Sequence, residues 1–319
     1  MITVEPLFGL SNRLRMLDDV LSITNQYRMT IRLIWNRNAD LNCRFDELFQ
    51  VPAGITELIQ PKRYFLKHYA GPLLSIGTPE FHADERLGNF PPLRMVLNAM
   101  DGFDMQCAKG RLIHMLRCIN KLVFTHRRYE RAIYLDEVLQ LFRKEYDFKR
   151  LSHHRSVYVQ GYTRLLNSTQ IFDRFKPVDR IGTVIAGVCS AFAPHTIGVH
   201  IRRTDHLTSA EKSPTVQFVL EMNREIARDP DTMFFLATDS LAEERTMKEL
   251  FPGKIITYEK TTLNRNNPQA IKDALVDLYC LSKTSRILAS FGSTFSSTAA
   301  SLGGIPYRVV LANPNEVNL

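Results

Sequence analysis

Long apolar runs are missing from this sequence. No stretch approaches the roughly 18 uninterrupted apolar residues of a membrane span. The opening residues, MITVEPLFGLSNRLR, have neither a basic n-region nor a long apolar h-region, so they are not read as a secretory leader. Cysteine is sparse and scattered: Cys43, Cys107, Cys118, Cys189 and Cys280 form an odd set without a CxxC pair. That pattern excludes a disulfide framework, and no His/Cys cluster has the spacing of a zinc site. Repeats and low-complexity tracts are absent as well. These absences lead to the expectation of a reduced, cytoplasmic protein that needs no metal.

Positive charge is what the chain has in excess. Its 319 residues carry a formal net charge of +8, with ordinary apolar (45%) and charged (23%) fractions. The length suggests about two domains, and the composition excludes a largely disordered chain. Between Lys109 and Arg155 lie twelve Lys/Arg and only five acids, so this segment holds nearly all of the surplus. Apolar residues from Leu112 to Val123 run between its charges and read as amphipathic helix. Two readings stay open for it: a solvated helical face, or a surface for an anionic partner.

Elsewhere strand and helix signals alternate. Strands are expected at Ile2–Val4, Thr30–Trp35, Ser156–Gln160, Thr196–Ile201, Met233–Ala237, Lys254–Tyr258, Arg286–Ala289 and Tyr307–Val310. Helices are expected after the turn Phe8-Gly9-Leu10-Ser11 to about Met29, and at Phe45–Phe49, Leu93–Met100, Val178–Phe192, Val216–Arg228, Leu241–Leu250, Ala270–Ser282 and Phe295–Leu302. Two more helices are expected within the basic segment. This alternation implies parallel sheets covered by helices. A boundary near residue 165 divides the chain into an N-terminal α/β domain (1–165) and a C-terminal Rossmann-like domain (166–319).

Ligands in such sheets bind beyond the carboxyl ends of the strands, and four polar groups fall there. Gly9-Leu10-Ser11-Asn12-Arg13 follows the first strand. Its glycine allows a tight turn, and the helix start offers free N–H groups to an anion; it also reads as an ordinary capped turn. His200-Ile201-Arg202-Arg203-Thr204-Asp205 places His200 and Arg202 on one face of a strand leaving the core. A fixed guanidinium clamps phosphate, and a buried Arg–Asp pair is the alternative. In Ala237-Thr238-Asp239-Ser240, Asp239 or Ser240 caps the next helix or serves a ligand. The hydroxyl-rich turn Ser290-Phe291-Gly292-Ser293-Thr294 suits phosphate, or simply caps its helix. Asp277, set among Leu275, Val276, Leu278 and Leu281, is an acid that needs a partner or a ligand's donors. Asp229-Pro230-Asp231 lies at the other end of the sheet and is read as a turn.

Taken together, FGLSNRL (8–14), IGVHIRRTD (197–205), FFLATDS (234–240) and VDLYCLSKTSRILASFGSTF (276–295) resemble the fucosyltransferase superfamily. That group includes α-1,6-fucosyltransferases, nodulation fucosyltransferases and protein O-fucosyltransferases. The resemblance implies a GT-B fold: two Rossmann-like domains with a cleft between them. It implies an inverting, metal-independent glycosyltransferase that moves fucose from GDP-fucose to a glycan. Arg202 matches the arginine on the β-phosphate, and His200 and Asp277 the groups near the guanine nucleoside. Ser293 and Thr294 match the phosphate-contacting turn, Asp205 and Asp239 the acids that organise the donor site. Gly9 and Asn12 match the N-terminal loop that meets the donor. The base stays open among Glu211, Asp205 and His206, in that order; His206 stands where the α-1,6 type carries lysine.

Two alternatives accompany this reading. One is the same fold with another nucleotide sugar, for which an acid such as Asp277 favours guanine's N1–H and N2–H₂ donors. The other is a nucleic-acid-binding module built on the basic segment, with Phe124, Tyr129 and Tyr134 as stacking side chains. No nucleic-acid motif accompanies it. The expected partners are therefore a nucleotide-sugar donor and an anionic or lipid-linked glycan acceptor, with no nucleic acid. The segment 109–155 is expected to meet the inner membrane face peripherally.

Overall fold

The computed structural model describes residues 1–38, 40–60, 129–133, 146–166, 172–204, 207–264 and 266–312. The chain divides into two compact units. One comprises Met1–Gln170 with Arg265–Pro268, the other Ile171–Asn264 with Gln269–Leu319.

The first unit is a parallel five-stranded sheet in the order β3-β2-β1-β5-β4. Its strands are β1 (Ile2–Pro6), β2 (Ile31–Ile34), β3 (Ile55–Ile59), β4 (Arg131–Ile133) and β5 (Val157–Gly161). Every residue of β1 and β5 is buried, as expected where both faces of a parallel sheet are covered. Helix α1 (Leu10–Gln26) connects β1 to β2. It seats Leu10, Leu14, Leu17 and Leu21 inward at three- and four-residue steps.

The second unit repeats the principle with the order β10-β9-β6-β7-β8, again all parallel. Here the strands are β6 (Ile197–Ile201), β7 (Phe234–Thr238), β8 (Ile255–Ile256), β9 (Ile287–Ala289) and β10 (Tyr307–Val309). The helices are α2 (Asp179–Cys189), α3 (Leu207–Lys212), α4 (Thr215–Arg228), α5 (Leu241–Leu250), α6 (Pro268–Ser282) and α7 (Thr294–Gly303). Read from β6, this is the doubly wound order whose direction reverses between β6 and β9. Val199, Ile201, Phe218, Met222, Phe234 and Leu236 form one core cluster under it.

Three local expectations need correction. β4 lies inside the segment expected to be helical, and β3 was not anticipated. Both are short edge strands, and Thr56 and Glu57 of β3 face solvent, so neither makes a readable apolar pattern. The helix expected at Phe45–Phe49 is a single 3-10 turn, Phe45–Glu47. The helix expected at 93–100 and most of the basic segment lie outside the described residues. Among the described residues, no helix is long and apolar enough to cross a membrane.

Candidate active site

The switch point of the second sheet is where its polar residues gather. Ser290, just past β9, reaches across to β6: its N–H and its Oγ both donate to the His200 carbonyl, at 3.1 and 3.2 Å. The same Oγ accepts from the Arg202 N–H at 3.0 Å. Two strand ends are thereby joined at the crevice where an α/β sheet binds its ligand.

Asp239 continues that frame from β7. One carboxylate oxygen accepts from the Arg203 N–H at 2.7 Å; the other accepts from the Thr204 N–H at 3.3 Å and the Thr204 hydroxyl at 2.8 Å. Burial works against its charge. Those hydrogen bonds and the Arg202 guanidinium outweigh it, so the pKa lies below the usual value. Cap and ligand were both open for this turn, and Ser240 takes the cap by accepting from the Glu243 N–H. Asp239 is therefore left to fold the chain after β6, with Arg202 Nε 4.0 Å from its Oδ2.

The two arginines separate cleanly. Arg203 turns inward, bonding Thr215 at 3.1 Å and Glu243 at 3.2 Å, with its guanidinium 5.9 Å from the Phe218 ring. Arg202 stays beside Asp239 with its side chain 21% exposed. Of the two, it is the one at the surface of the switch point.

His200 is buried, with its ring stacked on Phe295 at 5.0 Å. Its Nδ1 lies 2.7 Å from Ser296 Oγ and 3.3 Å from Ser293 Oγ. Burial, reinforced by the Arg202 and Lys260 charges, pushes its pKa down to about 3. A neutral imidazole here orients hydroxyls and contributes no charge. Ser293 caps α7 through the Ser296 N–H, and Gly292 just before it has φ 68, a conformation that favours glycine. Thr294 opens the helix, so hydroxyls and free N–H groups meet at one end of α7.

Asp277 sits on α6 and is not solitary. Lys260 Nζ lies 3.1 Å from its Oδ2, and both side chains are almost fully buried. Burial raises the Asp277 pKa to about 7 against the pull of Lys260. Lys260 gave no signal in the sequence, being a single basic residue in an irregular connection.

Glu211 is exposed on α3. Asp205 and His206 lie outside the described residues. Gly9 and Asn12 belong to the first unit, at the start of α1. Gly9 is not the residue that makes the turn, because its φ is −73°. The left-handed residue is Phe8, with φ 64.

A second polar cluster lies at the carboxyl end of the first sheet, and of its members only Arg13 was named in the sequence. Glu5 Oε1 accepts from Asn36 at 2.5 Å, and Oε2 accepts from the Tyr158 hydroxyl and from Gln160 at 2.7 Å. Arg13 is fully buried beside them. It donates to the carbonyls of Phe8 and Asn36, each at 2.6 Å, and to Asn38 Oδ1 at 3.1 Å, with Trp35 4.9 Å below. Burial lifts Glu5 to about 8 and lowers Arg13 to about 10. The signal for Arg13 was its place between Leu10 and Leu17 on the inward stripe of α1. Tyr129, proposed as a stacking side chain, is also claimed by this unit: it is buried and packs on Tyr158 at 5.3 Å. Phe124 and Tyr134 lie outside the described residues. Among the described residues, no three His, Cys, Asp or Glu side chains converge as a metal-ligand set.

No protein-family model and no curated protein matches the sequence. Solved structures match the fold over nearly the whole chain. A NodZ α-1,6-fucosyltransferase soaked with GDP-fucose is similar at TM-score 0.56 and 18% identity, covering 94% of this chain and 92% of that one. Arabidopsis thaliana FUT1 in complex with GDP is similar at TM-score 0.54 and 14% identity, over 98% of this chain and 70% of that one. POFUT1 in its apo form is similar at 0.51 and 12%, over 97% of both chains. With a parallel Rossmann-like sheet in each of its two units, the chain shares the α/β fold of these solved structures.

Proposed function

We propose that this chain is an inverting, metal-independent glycosyltransferase that moves fucose from GDP-fucose to a glycan acceptor. The observation that carries the reading is the switch point of the second sheet. Asp239 and Ser290 brace the chain around Arg202, while the start of α7 supplies N–H and hydroxyl donors. That is a set of donors for a diphosphate. As the sugar leaves, charge accumulates on the β-phosphate, and a fixed guanidinium stabilises it without a metal ion. Structural neighbours solved with GDP-fucose or GDP support the choice of donor.

Glu211, Asp205 and His206 are the residues proposed to take the acceptor's proton, in that order. His200 is not among them, because a buried imidazole with its pKa near 3 is a poor base at neutral pH. We propose that the 1–165 half serves the acceptor and the 166–319 half the donor. The acceptor would be an anionic or lipid-linked glycan drawn to residues 109–155 in the cytoplasm at the inner membrane face. The direct test is a screen of nucleotide sugars for slow hydrolysis. GDP release from GDP-fucose, absent with UDP- and CDP-sugars, is the expected result. Release from a UDP-sugar instead would transfer the reading to another donor. An inactive Glu211→Gln beside an active His206→Gln would assign the base.

A further inference from the structure

The five cysteines are scattered along the sequence, and folding brings two of them together. Cys189 closes α2, and Cys280 lies 91 residues later in the last turn of α6. Both belong to the second unit. Their Sγ atoms are 3.9 Å apart, within hydrogen-bond reach for sulfur, and both thiols are free. Cys280 is buried, whereas Cys189 is half-buried and open to reagents in solution. One residue before Cys280, the Tyr279 hydroxyl donates to the Phe175 carbonyl ahead of α2. The two segments are thus fastened close to where the thiols meet.

The two thiols differ in reactivity. The hydrogen bond from Cys280 lowers the Cys189 pKa, and the Lys283 charge adds to that effect against burial. The same hydrogen bond and burial raise Cys280. The thiolate is the attacking species in disulfide exchange, so the accessible thiol is also the one that ionises first. Bonded sulfurs stand about 2 Å apart, so the gap closes through side-chain rotation and a small approach of α6 to α2. Cys280 follows Asp277 by three residues, one turn along the same helix. The Asp277 and Lys260 charges act on its thiol. A movement at Cys280 is therefore felt at Asp277, the acid matched by resemblance to the donor's nucleoside.

We propose that Cys189 and Cys280 are a modification site: oxidised glutathione converts them to a reversible disulfide, and that bridge weakens donor binding. The Cys189 thiolate attacks one sulfur of the oxidant, whose S–S bond breaks as one glutathione thiolate leaves. Cys280 then gives up its proton and attacks Cys189 Sγ, expelling the second glutathione. Two protein thiols lose two electrons, and the oxidant becomes two thiols that carry away both protons. In a reduced compartment such a bond is transient and reports redox state. Drawing α6 toward α2 moves Asp277 from its reduced-state position, which is why the bridged form binds the donor less well. That effect rests on the nucleotide-sugar reading above; the bridge itself does not.

The test equilibrates the full chain in mixtures of oxidised and reduced glutathione, quenches with acid and maps the peptides by mass spectrometry. The expected product is one peptide pair joined through Cys189 and Cys280, lighter by two hydrogens and separated again by dithiothreitol. The bridged chain should bind GDP about tenfold more weakly than the reduced chain, and saturating GDP should in return make the bridge about tenfold harder to form. Cys189→Ser changes a half-buried position, so it keeps the fold even if Cys280→Ser does not. It should bind GDP equally in oxidising and reducing buffer. Cys189 and Cys280 still free in oxidised glutathione overturn the proposal, as does a glutathione adduct on Cys189 that never resolves, or a bridge to Cys43, Cys107 or Cys118 instead. A bridged chain that binds GDP as tightly as the reduced one overturns the control of donor binding. A reduced chain that binds no GDP overturns the nucleotide-sugar reading and that control with it, while the peptide map still decides the bridge.

Discussion

The carboxyl ends of the two sheets are built from similar residue types and have opposite character. In the first unit Glu5, Arg13, Asn36, Tyr158 and Gln160 close on one another, and Glu5 and Arg13 are wholly buried. In the second unit Arg202 and Asp239 stand 4.0 Å apart with about a fifth of each side chain exposed, beside the open start of α7. An arginine near a carboxylate is thus no sign of function by itself. A sealed cluster holds loops together, and an open one keeps part of its charge at the surface. In the first unit the held element is the turn before α1. Phe8 adopts a left-handed conformation there that costs a non-glycine residue about 1–2 kcal/mol. Arg13 grips its carbonyl, and Tyr162 packs edge-on against its ring at 4.4 Å.

Removing each arginine in turn tests this contrast, and the largest effect belongs to Arg202. Arg202→Ala should lower turnover with GDP-fucose by about 10³-fold, roughly 4 kcal/mol of transition-state stabilisation. Its melting temperature should fall by no more than a few degrees, because the side chain lies at the surface, about a fifth exposed. Comparable turnover in this variant would remove Arg202 from the mechanism. A large fall in melting temperature would instead make the second cluster structural like the first.

Arg13→Met should do the reverse. It strands the carbonyls of Phe8 and Asn36 and the Asn38 side-chain oxygen away from water, at a cost of about 3 kcal/mol in stability. Urea unfolding would show this as a lowered midpoint with an unchanged slope. A variant as stable as wild type would mean that the cluster is not sealed in solution.

The contrast also explains which features were legible in the sequence. Strands with both faces covered, such as Ile197–Ile201 and Phe234–Thr238, are continuous apolar runs and were read almost to the residue. The edge strands Ile55–Ile59 and Arg131–Ile133 are short and partly solvent-facing, so they carry no such pattern. Of the candidate residues, Arg202, His200, Asp239 and Ser293 stood out because strand ends are where ligands bind in this architecture. Asp239 was singled out at a strand end, but its hold on the backbone of Arg203 and Thr204 depends on the pairing of β6 with β7. Glu5 was passed over because an acid between Val4 and Pro6 looks like the solvent side of a strand. Only the pairing of β1 with β5 places Tyr158 and Gln160 against it. Lys260 and the meeting of Cys189 with Cys280 needed tertiary structure in the same way.

The smallest expected effect is the most specific to the sealed cluster. Three donors face the two oxygens of Glu5, yet burial dominates and lifts its pKa to about 8, from an ordinary value of 4.5. Between those values the folded chain holds a proton that the unfolded chain has released. Stability from this group is therefore greatest below about pH 4.5 and falls as the pH rises toward 8. Glu5→Gln replaces the neutral acid by a neutral amide of the same shape, and the Gln160 amide can turn to present its oxygen. At the acidic end of the window the two proteins should differ by less than about 1 kcal/mol. The variant should lack the downward slope, so its stability relative to wild type should rise from pH 5 to pH 8. Asp19 and Asp277 are also raised by burial, and their contributions cancel in that difference. Urea midpoints for both proteins at several pH values across the window give the comparison directly. A difference that stays flat would mean that Glu5 is ionised in the folded chain, and the first cluster would then be a buried ion pair with Arg13.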